Sequence, residues 1–335
     1  MKNLFNWLLR LAVKFALFLF YRKVTLFGEE HLPTNKAVII VSNHQNALID
    51  PLIVATQTHL KPHFLTRASA FKNPIADKLL RFIRMIPVYR VRDGKENMEK
   101  NNQTFDQSSS ILSNHGSILI FAEGGHSHER SQRPLKKGFT RIAFQTLEKY
   151  PDLDLVILPL GINYTNQTQS GGKVKVFVGS EIPVKPFLNK HEALMAKTSQ
   201  ALEPLITQIP LWNYQNCLNH LIHQNTDLSD PRLVKEVLGD LEVSKSPTPA
   251  NTPYLSKKLF RLIHWPLLLL WKQVQPSIDD PVFQATFKFV IGLVGYPLMF
   301  GILIWILPAL GLQTLGYTWA FLSILTVLSN KSRLE

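Results

Sequence analysis

The chain of 335 residues is basic and apolar at once, with a formal net charge of +13, 45% hydrophobic residues and a mean hydropathy of +0.02. That length holds one sizeable α/β domain plus an appended segment, and the charge suits an anionic membrane surface at least as well as nucleic acid. The single cysteine, Cys217, excludes an internal disulfide and any cysteine-rich zinc or iron–sulfur site.

At the N-terminus, residues 4–20 are mostly Leu, Phe, Trp, Ala and Val, while Asn3, Asn6, Arg10 and Lys14 recur every three or four positions as one polar stripe of a helix. Two charges in so short a segment disfavour spanning a bilayer, and a helix lying in the membrane interface accommodates them. The segment ends in Tyr21-Arg22-Lys23 rather than in small residues, which argues against a signal peptide.

Short apolar runs at 38–41, 63–66, 86–91, 117–122, 155–160 and 174–178 predict strands, and helical patterns cover 74–84, 139–150 and 191–208. Such alternation argues for an α/β fold, a mainly parallel sheet flanked by helices. Gly171-Gly172-Lys173 lacks the remaining residues of a P-loop and predicts a hairpin turn. Helical runs at 212–224 and 231–241 extend the domain, and 242–253 has linker composition. Near the C-terminus, 289–312 carries no charge and is long enough to cross a bilayer, while 314–328 would complete a transmembrane hairpin. Cations flank this pair on both sides, which puts both its ends in the cytoplasm. The predicted organisation is an interfacial helix at 1–23, a catalytic domain at 24–210, a helical extension and linker at 211–253, and a membrane region at 254–335.

Four segments carry the chemistry. Asn43-His44 precedes Asp50-Pro51 directly after the first strand; Ile86-Pro87-Val88-Tyr89-Arg90 delivers a guanidinium; Phe121-Ala122-Glu123-Gly124-Gly125 leads through Ser127, His128 and Arg130 to Lys136; and Ile157-Leu158-Pro159 lies in a later strand. A histidine with a carboxylate partner at a strand's carboxyl end suits proton removal from a hydroxyl at neutral pH. Asp50 before Pro51 also suits a purely structural helix start. Arg90, Arg130 and Lys136 are candidates for binding phosphate, and Gly124 and Gly125 would let backbone N–H groups approach a phosphate or oxyanion. Glu123 would either hydrogen-bond a substrate hydroxyl or hold its own loop. His126 and His128 lack the further ligands of a zinc site, so no metal is expected.

Together these segments resemble the four blocks of the glycerolipid acyltransferase superfamily, which includes glycerol-3-phosphate and 1-acylglycerol-3-phosphate acyltransferases. The resemblance covers about 24–208. It implies catalysis by His44 and Asp50 and substrate binding by Arg90, Glu123, Gly124, Gly125, Ser127, Arg130 and Lys136. It further implies acyl-CoA or acyl carrier protein as co-substrate with no other cofactor, a phosphorylated glycerol acceptor, membrane lipid as a partner and no nucleic acid. Two departures stand out. Five residues separate His44 from Asp50 where the family usually has four, a longer spacing shared by one branch of glycerol-3-phosphate and dihydroxyacetone-phosphate acyltransferases. His126 replaces the arginine of the usual third block, and Ser127-His128-Glu129-Arg130 is similar to a stretch of that same branch, which would pass the phosphate role to Arg130. The expected function is therefore membrane-bound O-acyl transfer in phospholipid synthesis, with the active site facing the cytoplasm. The rival readings are an acyltransferase for another lysolipid and a non-catalytic lipid-binding protein of the same fold.

Overall fold

A computed structural model describes residues 2–89, 100–239 and 254–332. In chain order the first elements are α1 (Lys2–Phe20), β1 (Lys23–Phe27), β2 (Ala37–Ser42), α2 (Ile49–Gln57), β3 (His63–Arg67), α3 (Pro74–Phe82), β4 (Met85–Val88) and α4 (Lys100–Ser113). Then follow β5 (Ser117–Ile120), α5 (Gly138–Lys149), β6 (Leu155–Tyr164), β7 (Lys173–Val178), β8 (Ile182–Pro183), α6 (His191–Leu202), α7 (Tyr214–His223) and α8 (Pro231–Gly239). The C-terminal part holds α9 (Tyr254–Ile263), α10 (Trp265–Val274), α11 (Gln284–Gly301), α12 (Leu307–Ala309) and α13 (Gln313–Ser332).

The strands form one sheet in the order β1-β7-β6-β2-β5-β3-β4, with β8 beside β6. Every pairing is parallel except those of β6 with β7 and with β8. The fold is thus the mainly parallel, helix-flanked sheet that the alternating pattern predicts. Its antiparallel exception turns through the predicted glycine pair, where Lys173 N donates to Thr165 Oγ1 at 2.9 Å. β6 outruns the predicted 155–160 because Pro159 and Gly161 look like terminators in sequence. Pro159 falls where β6 changes partner, between Ile157 beside β8 and Leu160 beside β7, so its missing N–H breaks no ladder bond. Gly161 permits a close approach instead: a Cβ there would lie 2.1 Å from the carbonyl oxygen of Leu205.

Alternate residues of β2 serve two cores, as the two-residue period of a strand requires. Val38 and Ile40 pack with Leu17 and Tyr21 at the end of α1, with Ile49 and Ile53 of α2, and with Ala285 and Phe289 of α11. Ala37, Ile39 and Val41 pack on the other face with Leu112 of α4, Phe139 and Ala143 of α5 and Leu194 of α6. The wholly buried AVIIVS run of β2 is central to both. The polar stripe predicted for α1 is not its water-facing side throughout: Arg10 donates to the Thr58 carbonyl at the end of α2. Lys14 of that stripe is exposed, and so are the large apolar residues Leu4, Phe5, Trp7, Leu8, Leu11, Phe15 and Phe18 of the helix.

Among the described residues one helical run, Pro281–Ala309, is long and apolar enough to cross a membrane. α13 folds back on it so closely that a Cβ at Gly316 would lie 2.2 Å from the Leu303 carbonyl oxygen. Small residues at such crossings are what apolar helices need to approach one another. The predicted linker at 242–253 lies outside the described residues.

Replacing Gly161 by alanine should force β6 away from the segment after α6 and destabilise the protein by about 1–3 kcal/mol, as overpacking a tight interior does. A lowered thermal midpoint of the purified variant in detergent is the expected reading.

Candidate active site

β2 delivers the first functional residues by ending in a particular way. The side chain of Asn43 continues the strand's pairing, accepting from Ile162 N at 2.8 Å and donating to Ile162 O at 2.9 Å. The backbone is thereby free to turn away, and His44 emerges at the carboxyl end of the central strand. Asp50 lies in the first turn of α2 and is fully buried. Its carboxylate turns back over the loop instead of capping the helix. Oδ2 accepts from His44 Nδ1 at 2.8 Å, Gln45 N at 2.8 Å and Asn46 N at 2.7 Å, while Oδ1 accepts from Tyr164 OH at 2.5 Å. Four donors compensate a carboxylate that burial alone would make very costly.

Since a carboxylate can only accept, His44 carries hydrogen on Nδ1 and leaves Nε2 with a lone pair. The imidazole stacks flat on Phe121 with ring centres 3.8 Å apart and planes 8° apart. Its side chain is 14% exposed, enough for Nε2 to meet a bound molecule while Asp50 stays dry. Tyr164, 114 residues from Asp50, is pushed well above the ordinary tyrosine range, by burial first and by the Asp50 charge second. It therefore stays a neutral hydroxyl donor. No sequence pattern singles it out.

The loop after β5 forms a second wall. Gly124 takes a left-handed backbone conformation (φ +78°) and donates to Phe121 O at 3.2 Å; Lys136 lies across it. Glu123 is held by Arg133, whose Nη2 and Nε donate to Oε2 at 2.8 and 3.1 Å and whose backbone N donates to Oε1 at 3.3 Å. Burial raises the Glu123 carboxyl above its usual range, and the hydrogen bonds from Arg133 offset only part of that. Arg133 also donates to Gly125 O, so one guanidinium fixes this turn. Of the two roles open to Glu123 in sequence, holding the loop is the one its contacts occupy. Arg133 is a residue that sequence reasoning missed, because nothing local separates it from its cationic neighbours. Ser127 N donates to His44 O at 3.0 Å, tying the loop to the histidine backbone, and Ser127 Oγ accepts from Glu129 N at 3.1 Å.

Arg130 goes elsewhere. It is 4% exposed, and its guanidinium donates to the carbonyl oxygens of Tyr164, Thr165 (3.1 Å) and Leu228 (3.4 Å). Burial lowers it to about 10. The expectation that Arg130 takes over a phosphate-binding role is corrected here: its fork is used to tie the end of β6 to the segment before α8. Arg90 lies outside the described residues, although Tyr89 before it is held by Asn101 of α4 through bonds of 2.9 and 2.8 Å. The structure thus brings His44, Asp50, Glu123, Gly124, Gly125, Ser127 and Lys136 to one loop cluster and sends Arg130 into the interior. Among the described residues no three His, Cys, Asp or Glu side chains form a metal cluster.

Residues 23–163 match the family model described as Acyltransferase. They form an acyltransferase domain. Over 68 residues, 20% of this chain, the sequence is 37% identical to an uncharacterized acyltransferase of Schizosaccharomyces pombe. Over 74 residues, 22% of this chain, it is 35% identical to glycerol-3-phosphate O-acyltransferase 1 of Saccharomyces cerevisiae. Each match spans only 10% of the length of the curated relative. The crystal structure of the 1-acyl-sn-glycerophosphate acyltransferase from Thermotoga maritima overlaps 54% of this chain and 69% of its own at 19% identity and a TM-score of 0.42. Within the acyltransferase domain, the unusual His44 to Asp50 spacing is absorbed without separating the pair, since the extra residue lies in the loop that Asp50 itself organises.

Replacing Arg133 by alanine would strand the Glu123 carboxylate. The expected cost is about 3 kcal/mol, the low end for breaking a buried ion pair because Arg133 is partly exposed. Without its partner the Glu123 carboxyl rises further, so the variant should recover stability as pH falls and the group is protonated, and lose it as pH rises. Thermal midpoints of both proteins across mildly acidic to mildly alkaline buffers would show a gap that widens with pH.

Proposed function

We propose that this protein is a membrane-bound O-acyltransferase of phospholipid synthesis. It moves a fatty acyl group from acyl-CoA or acyl carrier protein to a hydroxyl of glycerol 3-phosphate or 1-acylglycerol 3-phosphate. The observation that carries the reading is the His44–Asp50 pair, with its base nitrogen left free in a half-open position within an acyltransferase domain.

In this reading the acceptor hydroxyl gives its proton to His44 Nε2 as its oxygen attacks the thioester carbonyl. Asp50 keeps the proton of Nδ1 in place and stabilises the imidazolium, as the carboxylate does in a hydrolase triad. Collapse of the tetrahedral intermediate re-forms the carbonyl and expels the thiolate, which takes the proton back from His44. No acyl-enzyme is needed, because the acceptor hydroxyl is itself the nucleophile. The backbone N–H of Gly125 is suited to the developing oxyanion or to phosphate, that of Gly124 being given to Phe121 O. Lys136 and Arg90 are assigned to the acceptor phosphate, since the guanidinium of Arg130 is occupied. The exposed apolar side of α1 and the run Pro281–Ala309 support a membrane location, and the flanking cations support a cytoplasmic active site.

Purified full-length protein is expected to transfer labelled acyl groups to at least one of the two acceptors. Replacing His44 by alanine should lower the rate by about 10²–10⁴, the usual worth of a general base, and Asp50→Asn should act in the same direction. A wild type inactive with every donor and acceptor pair, or an unimpaired His44→Ala protein, removes the reading.

A further inference from the structure

His126 stands against the proposed base. Its ring meets that of His44 at 82° with centres 5.8 Å apart, so His44 lies between Phe121 on one side and His126 on another. What holds His126 comes from outside the acyltransferase domain. Its Nε2 donates to Asp280 Oδ2 at 2.7 Å, and the ring of Phe283 packs on it at 5.3 Å and 83°. Asp280 is fixed in turn, because its Oδ1 accepts from Val282 N at 3.0 Å at the start of the apolar run. Burial works against its charge, but the hydrogen bonds from His126 and Val282 outweigh it and lower the carboxyl below its ordinary range. His128 also acts on Asp280 through its charge.

The same stretch grips the loop of His44 a second time. Leu48 N, between His44 and Asp50, donates to Thr286 Oγ1 at 3.2 Å. Further along, Lys288 donates to the Thr168 carbonyl at 2.9 Å, and Phe289 packs on Phe20 of α1 at 5.6 Å. Between Asp280 and Phe289, then, the C-terminal segment touches both loops that flank His44, the β6–β7 connection and the N-terminal helix.

The geometry points to Asp280 as a positioning residue of acyl transfer: by clasping His126 it fixes one wall of the His44 site and makes the start of the apolar C-terminal helix part of the catalytic unit. This inference rests on the acyl-transfer reading for its kinetic consequence, though not for the clasp itself. A carboxylate can accept only from a nitrogen that bears hydrogen, so Asp280 sets which nitrogen of His126 carries it. Loss of that partner frees the ring to rotate and leaves His44 with one wall instead of two. Misplacement near the reacting atoms affects the chemical step more than substrate binding.

Asp280→Asn is the decisive variant, because an asparagine side-chain oxygen can still accept from Val282 N and preserve the helix start. In full-length protein in detergent, kcat should fall on the order of ten- to a hundredfold with KM values within about threefold of wild type. Asp279→Asn, at an exposed neighbour, should match wild type. The double variant His126→Ala/Asp280→Asn should be no slower than His126→Ala alone, since a clasp has nothing left to hold. A second readout needs no substrate: carbethoxylation of His126 by diethyl pyrocarbonate, followed by peptide mass spectrometry, should be several-fold faster in Asp280→Asn than in wild type. Retention of more than half of kcat, multiplicative losses in the double variant, or equal modification rates would each overturn the inference. If wild type transfers no acyl group at all, the acyl-transfer reading falls by itself, and the modification rates still decide whether the clasp exists.

Discussion

Asp50 is the constraint on which the site depends. A carboxylate with no exposed surface is tolerable only when its lone pairs are filled, and here four donors fill them. Two come from the backbone of the loop it follows, one from His44 and one from Tyr164 at the end of β6. Satisfying one buried charge therefore sets the shape of the β2–α2 loop, the register of α2 against the sheet and the tautomer of His44 together. The same arrangement explains why an additional residue between histidine and aspartate does not separate the pair. The loop is shaped by the carboxylate it surrounds, not by the periodicity of a helix.

Cations in the loop after β5 show how little a local sequence says about the fate of a charge. Arg130 and Arg133 are three residues apart in a polar stretch with no apolar periodicity. One is drawn inward, where the carbonyls of Tyr164, Thr165 and Leu228 take its fork; the other lies at the site and pairs with Glu123. Both are structural in the sense that each guanidinium holds backbone in place. Only the second does so beside His44, through the turn made by Gly124 and Gly125.

The C-terminal apolar helix is not a tether hung on a finished domain. Ala285 and Phe289 of α11 belong to the same core as Val38 and Ile40 of the central strand and Leu17 of α1. An exposed apolar surface on α1 and α11 adjoins that core. Burial of this kind couples the two ends of the chain to the sheet that carries the chemistry.

The sequence by itself determined the alternation of strands and helices and the buried character of the 38–41 strand, because hydrophobic period and turn chemistry are local signals; the histidine, the aspartate and the glycine-rich loop were legible together through their resemblance to the blocks of a known family. It also showed the apolar C-terminal segment, which composition alone reveals. Tertiary structure alone decided that Tyr164 completes the shell of Asp50, that Arg130 is spent inside, that Arg133 holds Glu123, and that Asp280 reaches His126 across 154 residues. Each of these is a hydrogen bond between distant segments. Its partners are chosen by which loops the sheet order brings together and by which polar atoms burial leaves in need of one, and neither is written in the neighbours of a residue along the chain.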